Sequence, residues 1–281
     1  MGETRGTREL GTDGGASSPT GAASLTPEPA GGRVLGLRKT DDMPAGLDGH
    51  PDPIVTPART AVLERVADLV EARTGSRVLV AIDGRAGSGK STFGDELCRS
   101  LERRGRSVVR STTDLFHRPR TERMRRGTSS PEGYYEDSHQ LDVIVGELLE
   151  PFRSGAAEVL AGAFDEPSDQ PQLVRAEVPG DAVLVFDGLF LRRPELRGYW
   201  DLTVMLHADQ RCDAAWLSYL EHDLPADASE RAAAIDLRLR RARWPRYRDG
   251  WSRYLEVVDE FPAAIDIAND DLASPTVLRS C

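Results

Sequence analysis

Several features that would have narrowed the class of this 281-residue chain are scarce or missing. Cysteine occurs three times, at Cys98, Cys212 and Cys281. An odd number at such wide spacing argues against a disulfide framework and against a cysteine-built zinc site, and is ordinary for an intracellular protein. No run approaches the roughly 18 consecutive apolar residues that a membrane helix requires, and the first residues lack the apolar centre of a secretory signal. The expected location is therefore the cytoplasm, with no membrane partner. Net positive charge is absent too: the balance is −10, and a carboxylate-rich surface repels phosphate backbones, so nucleic acid is not an expected partner. The five histidines show no metal-ligand spacing and no Ser-His-Asp arrangement, and His139 and His222 read as polar helix residues. Lysine is the rarest cation, present only at Lys39 and Lys90.

What is present falls into two parts. Residues 1–53 are rich in Gly, Pro, Ser, Thr and Asp, with too few large apolar side chains to offset the entropy of ordering them, and read as a disordered tail. From Ala58 the pattern changes. Val62, Leu63, Val66, Leu69 and Val70 recur at helical spacing, with Thr56 as cap, Pro57 suited to the first turn and Gly75 to the end. The run Val78-Leu79-Val80-Ala81-Ile82 is too short for a helix and reads as a strand buried on both faces. A helix follows from about Ser91 to Arg104, and further strands are expected at Val108-Val109, 182–186, 203–206 and 265–268. Helices are expected at 138–152, 209–221 and 229–243, and long loops at 117–136 and 161–179. Strands alternating with helices imply an α/β fold, a parallel sheet flanked by helices.

One lysine marks the most specific motif. Gly84-Arg85-Ala86-Gly87-Ser88-Gly89-Lys90-Ser91 fits G-x-x-x-x-G-K-[ST] and lies between an expected strand and an expected helix, the P-loop context. Its glycines let backbone N–H groups surround phosphate oxygens, and the helix N-terminus adds a partial positive charge. Lys90 should reach the β- and γ-phosphates of ATP, Ser91 should ligate Mg2+, and Thr92 completes the cofactor-binding set. Apart from Lys39 in the tail, every other lysine-or-arginine position is arginine, so the compact ammonium is kept where the motif needs it.

Phosphoryl transfer asks the protein for charge neutralisation and an oriented hydroxyl. Val183-Leu184-Val185-Phe186 ends in Asp187-Gly188, which places a carboxylate at the C-terminal sheet edge as a Walker B-like partner for the metal. Asp114, in Ser111-Thr112-Thr113-Asp114-Leu115-Phe116-His117-Arg118, reaches the same edge. It reads either as a base that accepts the proton of an acceptor hydroxyl or as a helix cap.

The P-loop, the Asp114-Leu115-Phe116-His117 segment, the Val185-Phe186-Asp187-Gly188 strand end and the arginines near Arg238 follow the order seen in uridine kinase-like P-loop kinases, which include phosphoribulokinase-type enzymes. The chain resembles that family over roughly residues 58–272. The resemblance implies a P-loop kinase domain over 54–281 with a helical, arginine-bearing lid at about 209–250. It further implies ATP and Mg2+ as cofactors, a small-molecule hydroxyl as phosphate acceptor, and Asp114 as general base. His117 stands where family members usually show Tyr.

Arg238, Arg240, Arg241, Arg243 and Arg246 crowd the expected lid. Arg241 is the candidate for contact with the transferring phosphate, against the alternative of a solvated helix face. The basic loop 118–127 either holds an anionic acceptor or is solvated. In Gly133-Tyr134-Tyr135-Glu136-Asp137 the resemblance implies a sugar-binding region. Its ribose-binding acid aligns with Tyr134, which leaves Asp137 or Glu136 displaced, and Asp169 stands near the place of a base-reading His. The substrate-binding candidates are therefore His117, Tyr134, Tyr135 and Asp137, with aromatic core packing as the alternative for the two tyrosines. The acceptor is expected to be a nucleoside or related sugar-containing metabolite, or a non-nucleoside compound. The reading from another class is a nucleotide-binding switch protein, and homo-oligomer formation is left open.

Overall fold

The computed structural model describes residues 55–214, 224–241, 244–258 and 260–280, so the expected tail lies outside the described residues. Helix α1 (Pro57–Glu71) starts as the sequence implies, Thr56 accepting a hydrogen bond from the Arg59 backbone N–H at 3.1 Å. It ends four residues before Gly75.

Strand β1 (Val78–Gly84) is buried along its whole length, as is β5 (Val183–Gly188), because both lie inside a sheet covered on two faces. With β2 (Val108–Thr112), β6 (Leu202–His207), β7 (Ile265–Ala268) and β8 (Thr276–Ser280) they form a six-stranded sheet in the order β2-β5-β1-β6-β7-β8. Neighbours run parallel except β8, which returns antiparallel along β7. One face is covered by α1 and α2 (Lys90–Arg103), whose Phe93, Leu97 and Leu101 are fully buried, each contributing about 1.5–3 kcal/mol. The other face carries a helical segment over 141–154. There the chain widens to π hydrogen bonding over Ile144–Leu149 just before Pro151, which has no N–H to continue an α-helical ladder.

The sequence expectation of long loops is corrected in both places. Residues 161–179 belong mostly to an antiparallel hairpin of β3 (Glu158–Asp165) and β4 (Gln170–Glu177), a separate two-stranded sheet. Register shifts around Gly162, together with Pro171, break the alternation that would have announced it. Residues 117–136 hold a turn of helix at Arg120–Arg123 and the start of a helix at Pro131–Asp137, capped by Ser130. The region expected to form the lid contains helices Ala228–Arg241 and Trp244–Val258, the latter not expected as a separate element; part of the helix expected at 209–221 lies outside the described residues. No helix among the described residues is long and apolar enough to cross a membrane.

Candidate active site

The parallel strands β1, β5 and β2 end side by side, and their C-terminal ends carry the site. After β1 the chain turns through residues 85–89 into α2, and Gly89 caps that helix at φ +84°, a conformation open to glycine. A Cβ there would also lie 3.0 Å from Asn269 Nδ2 and 3.1 Å from Arg211 Nη1, so the loop is hemmed in from the ends of β6 and β7. Asn269 donates to the Ser88 carbonyl at 2.8 Å and is itself held by Arg59 at 3.3 Å. Lys90 is nearly buried, and its Nζ donates to the Arg85 carbonyl at 2.9 Å across the loop. Ser88 Oγ and Arg211 Nη1 are buried polar atoms without a hydrogen-bond partner among the described residues. A cradle that keeps buried donors free suits an oxyanion, which would satisfy both. Asn269 and Arg211 were not singled out from sequence, because both come to the P-loop from beyond residue 208.

Ser91, one residue into α2, donates from Oγ to Asp187 Oδ2 at 3.0 Å. The other carboxylate oxygen, Oδ1, accepts from Arg110 Nη2 at 2.5 Å, a contact between adjacent strands that fixes the carboxylate's orientation. Arg110 is also absent from the sequence reading. The hydroxyl and carboxylate pair fits a hard, oxygen-liganded cation such as Mg2+.

Asp114 lies in the 3-10 turn Thr113–Phe116 directly after β2. Gly188 allows that turn to approach β5, since a Cβ on it would come within 2.4 Å of Thr113. Burial raises the Asp114 carboxyl above its ordinary value, with Asp187 adding to the rise and His117, Lys90 and Arg110 opposing it. Asp187 and Lys90 thus lie near enough to act on the Asp114 carboxyl at this sheet edge. His117 follows, its Nδ1 at 3.1 Å from the Asp114 carbonyl oxygen, and its ring lies 4.8 Å from that of His139. His139 is not a helix residue; it is buried, and burial holds its imidazole well below the ordinary pKa.

The remaining candidates divide. Tyr134 and Tyr135 are 7% and 9% exposed, and their rings pack edge-on to Phe190 at 5.1 and 5.2 Å, the aromatic-packing alternative. Asp137 is paired with Arg125 at 2.5 Å and Arg126 at 2.9 Å. It lines a cleft of about 240 Å³ with Arg118, Glu122, Arg125 and Glu136. Asp169 is at the turn of the β3–β4 hairpin and accepts from the Arg120 backbone N–H at 2.8 Å. Arg246 does not face solvent: it is buried and donates to the Ser130 carbonyl at 3.1 Å, the Arg123 carbonyl at 3.2 Å and Ser138 Oγ at 3.3 Å. Arg241 ends its helix, and its side chain, like those of Arg238, Arg240 and Arg243, lies outside the described residues.

The sheet order, the strand–loop–helix cradle and the acid on the adjacent strand define an α/β P-loop NTPase fold. No protein-family model matches the chain. A uridine kinase from Leuconostoc citreum is 26% identical over 153 residues, 52% of this chain and 69% of that protein. Solved structures share the fold. A possible uridine kinase from Bacillus stearothermophilus superposes with a TM-score of 0.57 at 20% identity, covering 74% of this chain and 97% of that one. A candidate fructose transport system kinase from a Silicibacter species gives 0.53 at 20% identity, covering 70% and 95%. The chain is thus similar in sequence to a uridine kinase over about half its length, and it shares the P-loop fold of these two structures.

Proposed function

We propose that the protein transfers the γ-phosphate of ATP to a hydroxyl group of a small metabolite, with Asp114 as general base. The observation that carries this reading is the convergence of Lys90, the Ser91–Asp187 pair and Asp114 on one sheet edge. Lys90 gives up the Arg85 carbonyl to meet the β- and γ-phosphates, and the loop N–H groups and Ser88 take the remaining oxygens. Ser91 and Asp187 would hold Mg2+, which supplies charge neutralisation between the phosphates when bound. Asp114, ionised, orients the acceptor hydroxyl and takes its proton as the new P–O bond forms and the bond to ADP breaks. Arg241 is proposed as the lid cation on the transferring group.

Two acceptor classes follow from the resemblance, and the charged cleft beside Asp137 favours a polar, non-nucleoside acceptor over a nucleoside. A flat base has no described aromatic face to stack on there, because Tyr134 and Tyr135 are engaged in the core. ADP release from Mg-ATP against a panel of nucleosides, sugars and small hydroxy acids, with Lys90→Ala as blank, tests the reading. A Lys90-dependent acceptor establishes the kinase and its class. Tight ATP binding with no turnover on any acceptor would move the weight to a nucleotide switch.

A further inference from the structure

His117 and His139 are far apart in the chain but are locked face to face by the backbone. They form an isolated antiparallel bridge, flanked by Arg118 N–H to the Ser138 carbonyl at 2.9 Å and Gln140 N–H to the Phe116 carbonyl at 2.8 Å. Gln140 also ties the His117 carbonyl with its side chain at 2.7 Å. The two rings are therefore held by main-chain geometry, not by chance packing, with centroids 4.8 Å apart and planes tilted by 37°.

Each ring keeps a nitrogen for a ligand. His117 Nδ1 lies 3.1 Å from the Asp114 carbonyl, which can only accept, so that nitrogen carries the proton and Nε2 keeps its lone pair. A histidine bound to metal through one nitrogen commonly donates the other to such a carbonyl. His139 Nε2 is buried without a hydrogen-bond partner, a cost that the native packing leaves standing. The Asp114 carboxylate completes the set: one donor atom from each of Asp114, His117 and His139 lies within 4.8 Å of the others.

We propose that Asp114, His117 and His139 form a binding site for a transition-metal dication of the zinc class, distinct from the Ser91–Asp187 position. Two imidazoles and one carboxylate suit Zn2+, and disfavour Mg2+, which prefers oxygen donors in octahedral array. Tetrahedral zinc spaces its donors about 3.4 Å apart, so the widest gap closes by up to about 1.4 Å on binding. Asp114 and His117, both only partly buried, supply that movement by side-chain rotation while buried His139 stays fixed. The fourth position is left for water or an acceptor oxygen. Occupancy draws on the carboxylate assigned above as base, so bound zinc slows phosphoryl transfer without displacing nucleotide; this consequence rests on the proposed kinase reading, whereas the binding itself does not.

The test is a titration of the metal-free full chain with Zn2+ in competition with a chromophoric chelator, without nucleotide. One site is expected in the unaltered protein. His117→Gln and His139→Gln should each weaken it by more than the roughly 10–100-fold that loss of an outer-shell partner costs. His207→Gln, which alters the His207–Asp266 pair at 2.9 Å, should leave it intact. X-ray absorption on the zinc-loaded unaltered protein does not depend on any variant folding, and should show two imidazole ligands. No site, or a shell without two imidazoles, overturns the proposal. ADP release under saturating Mg-ATP is then followed with and without Zn2+. Zinc held by both imidazoles and weakened by Asp114→Asn, with turnover of the unaltered protein unchanged by the metal, supports the site and overturns Asp114 as the base; affinity unmoved by Asp114→Asn overturns the three-residue site.

Discussion

Arg110 and Asp187 meet at 2.5 Å across adjacent strands, both almost wholly buried, and the arginine takes only Oδ1 of the carboxylate. The second oxygen is thereby left to Ser91, so an edge-strand cation positions the proposed metal ligand without competing for it. Replacing Arg110 by Met would leave an uncompensated buried carboxylate, a change that typically costs about 3–5 kcal/mol. A thermal unfolding curve checks this. An unchanged midpoint for Arg110→Met would show that the pair contributes nothing to stability.

Asp114→Asn keeps the size of the side chain and removes the proton acceptor. Transfer should fall by about 10²–10⁴-fold, with ATP affinity unchanged, because general-base catalysis is worth that much. Steady-state rates and a nucleotide titration on the same preparation separate the two. Wild-type-like transfer would remove the assignment.

The raised Asp114 carboxyl carries a pH signature. As base it works ionised, so kcat/KM is full above its pKa and falls as pH drops through it. Since burial and Asp187 hold it up, the acid limb should stand above the ordinary Asp value of about 3.9. A pH–rate profile with Mg2+ as the sole divalent cation reads this directly. A limb at the ordinary value would contradict the burial argument.

Gly188→Ala tests the close approach of two strand ends. The added Cβ would meet Thr113 Cγ2 and Oγ1 at 2.4 Å, and overpacking of this kind costs about 1–3 kcal/mol. The turn that yields carries Asp114, so kcat should drop more than nucleotide affinity. Equal loss of both would point to a general folding defect.

Cys98 is predicted to be chemically silent. Its thiol is buried and pushed up to about 12 by that burial, so little thiolate exists at pH 8. Mass spectrometry after alkylation should find it unmodified in the native protein and modified in urea. Rapid native labelling would place it elsewhere than in the core.

The central strands were legible in the sequence because burial on both faces leaves a continuous apolar run, as in Val78–Ile82 and Val183–Phe186. The P-loop was legible because its chemistry is local, eight residues in a row. The β3–β4 hairpin was hidden by bulges around Gly162 and by Pro171, and β8 by its exposed position at the sheet edge. Arg110, Arg211 and Asn269 were hidden for another reason. An arginine on a strand or an asparagine after one has no local signature, and its role exists only once distant strands are aligned. The same holds for His117 and His139, whose partnership is set by a backbone bridge and not by spacing.

Arg246 donates to the main-chain oxygens of Arg123 and Ser130, at the two ends of a segment beside the charged cleft at Asp137. A clasp that reads backbone is indifferent to side-chain identity. These two bonds therefore survive a change of side chain between Arg123 and Ser130, so the frame beside the cleft and the side chains that line it are set separately.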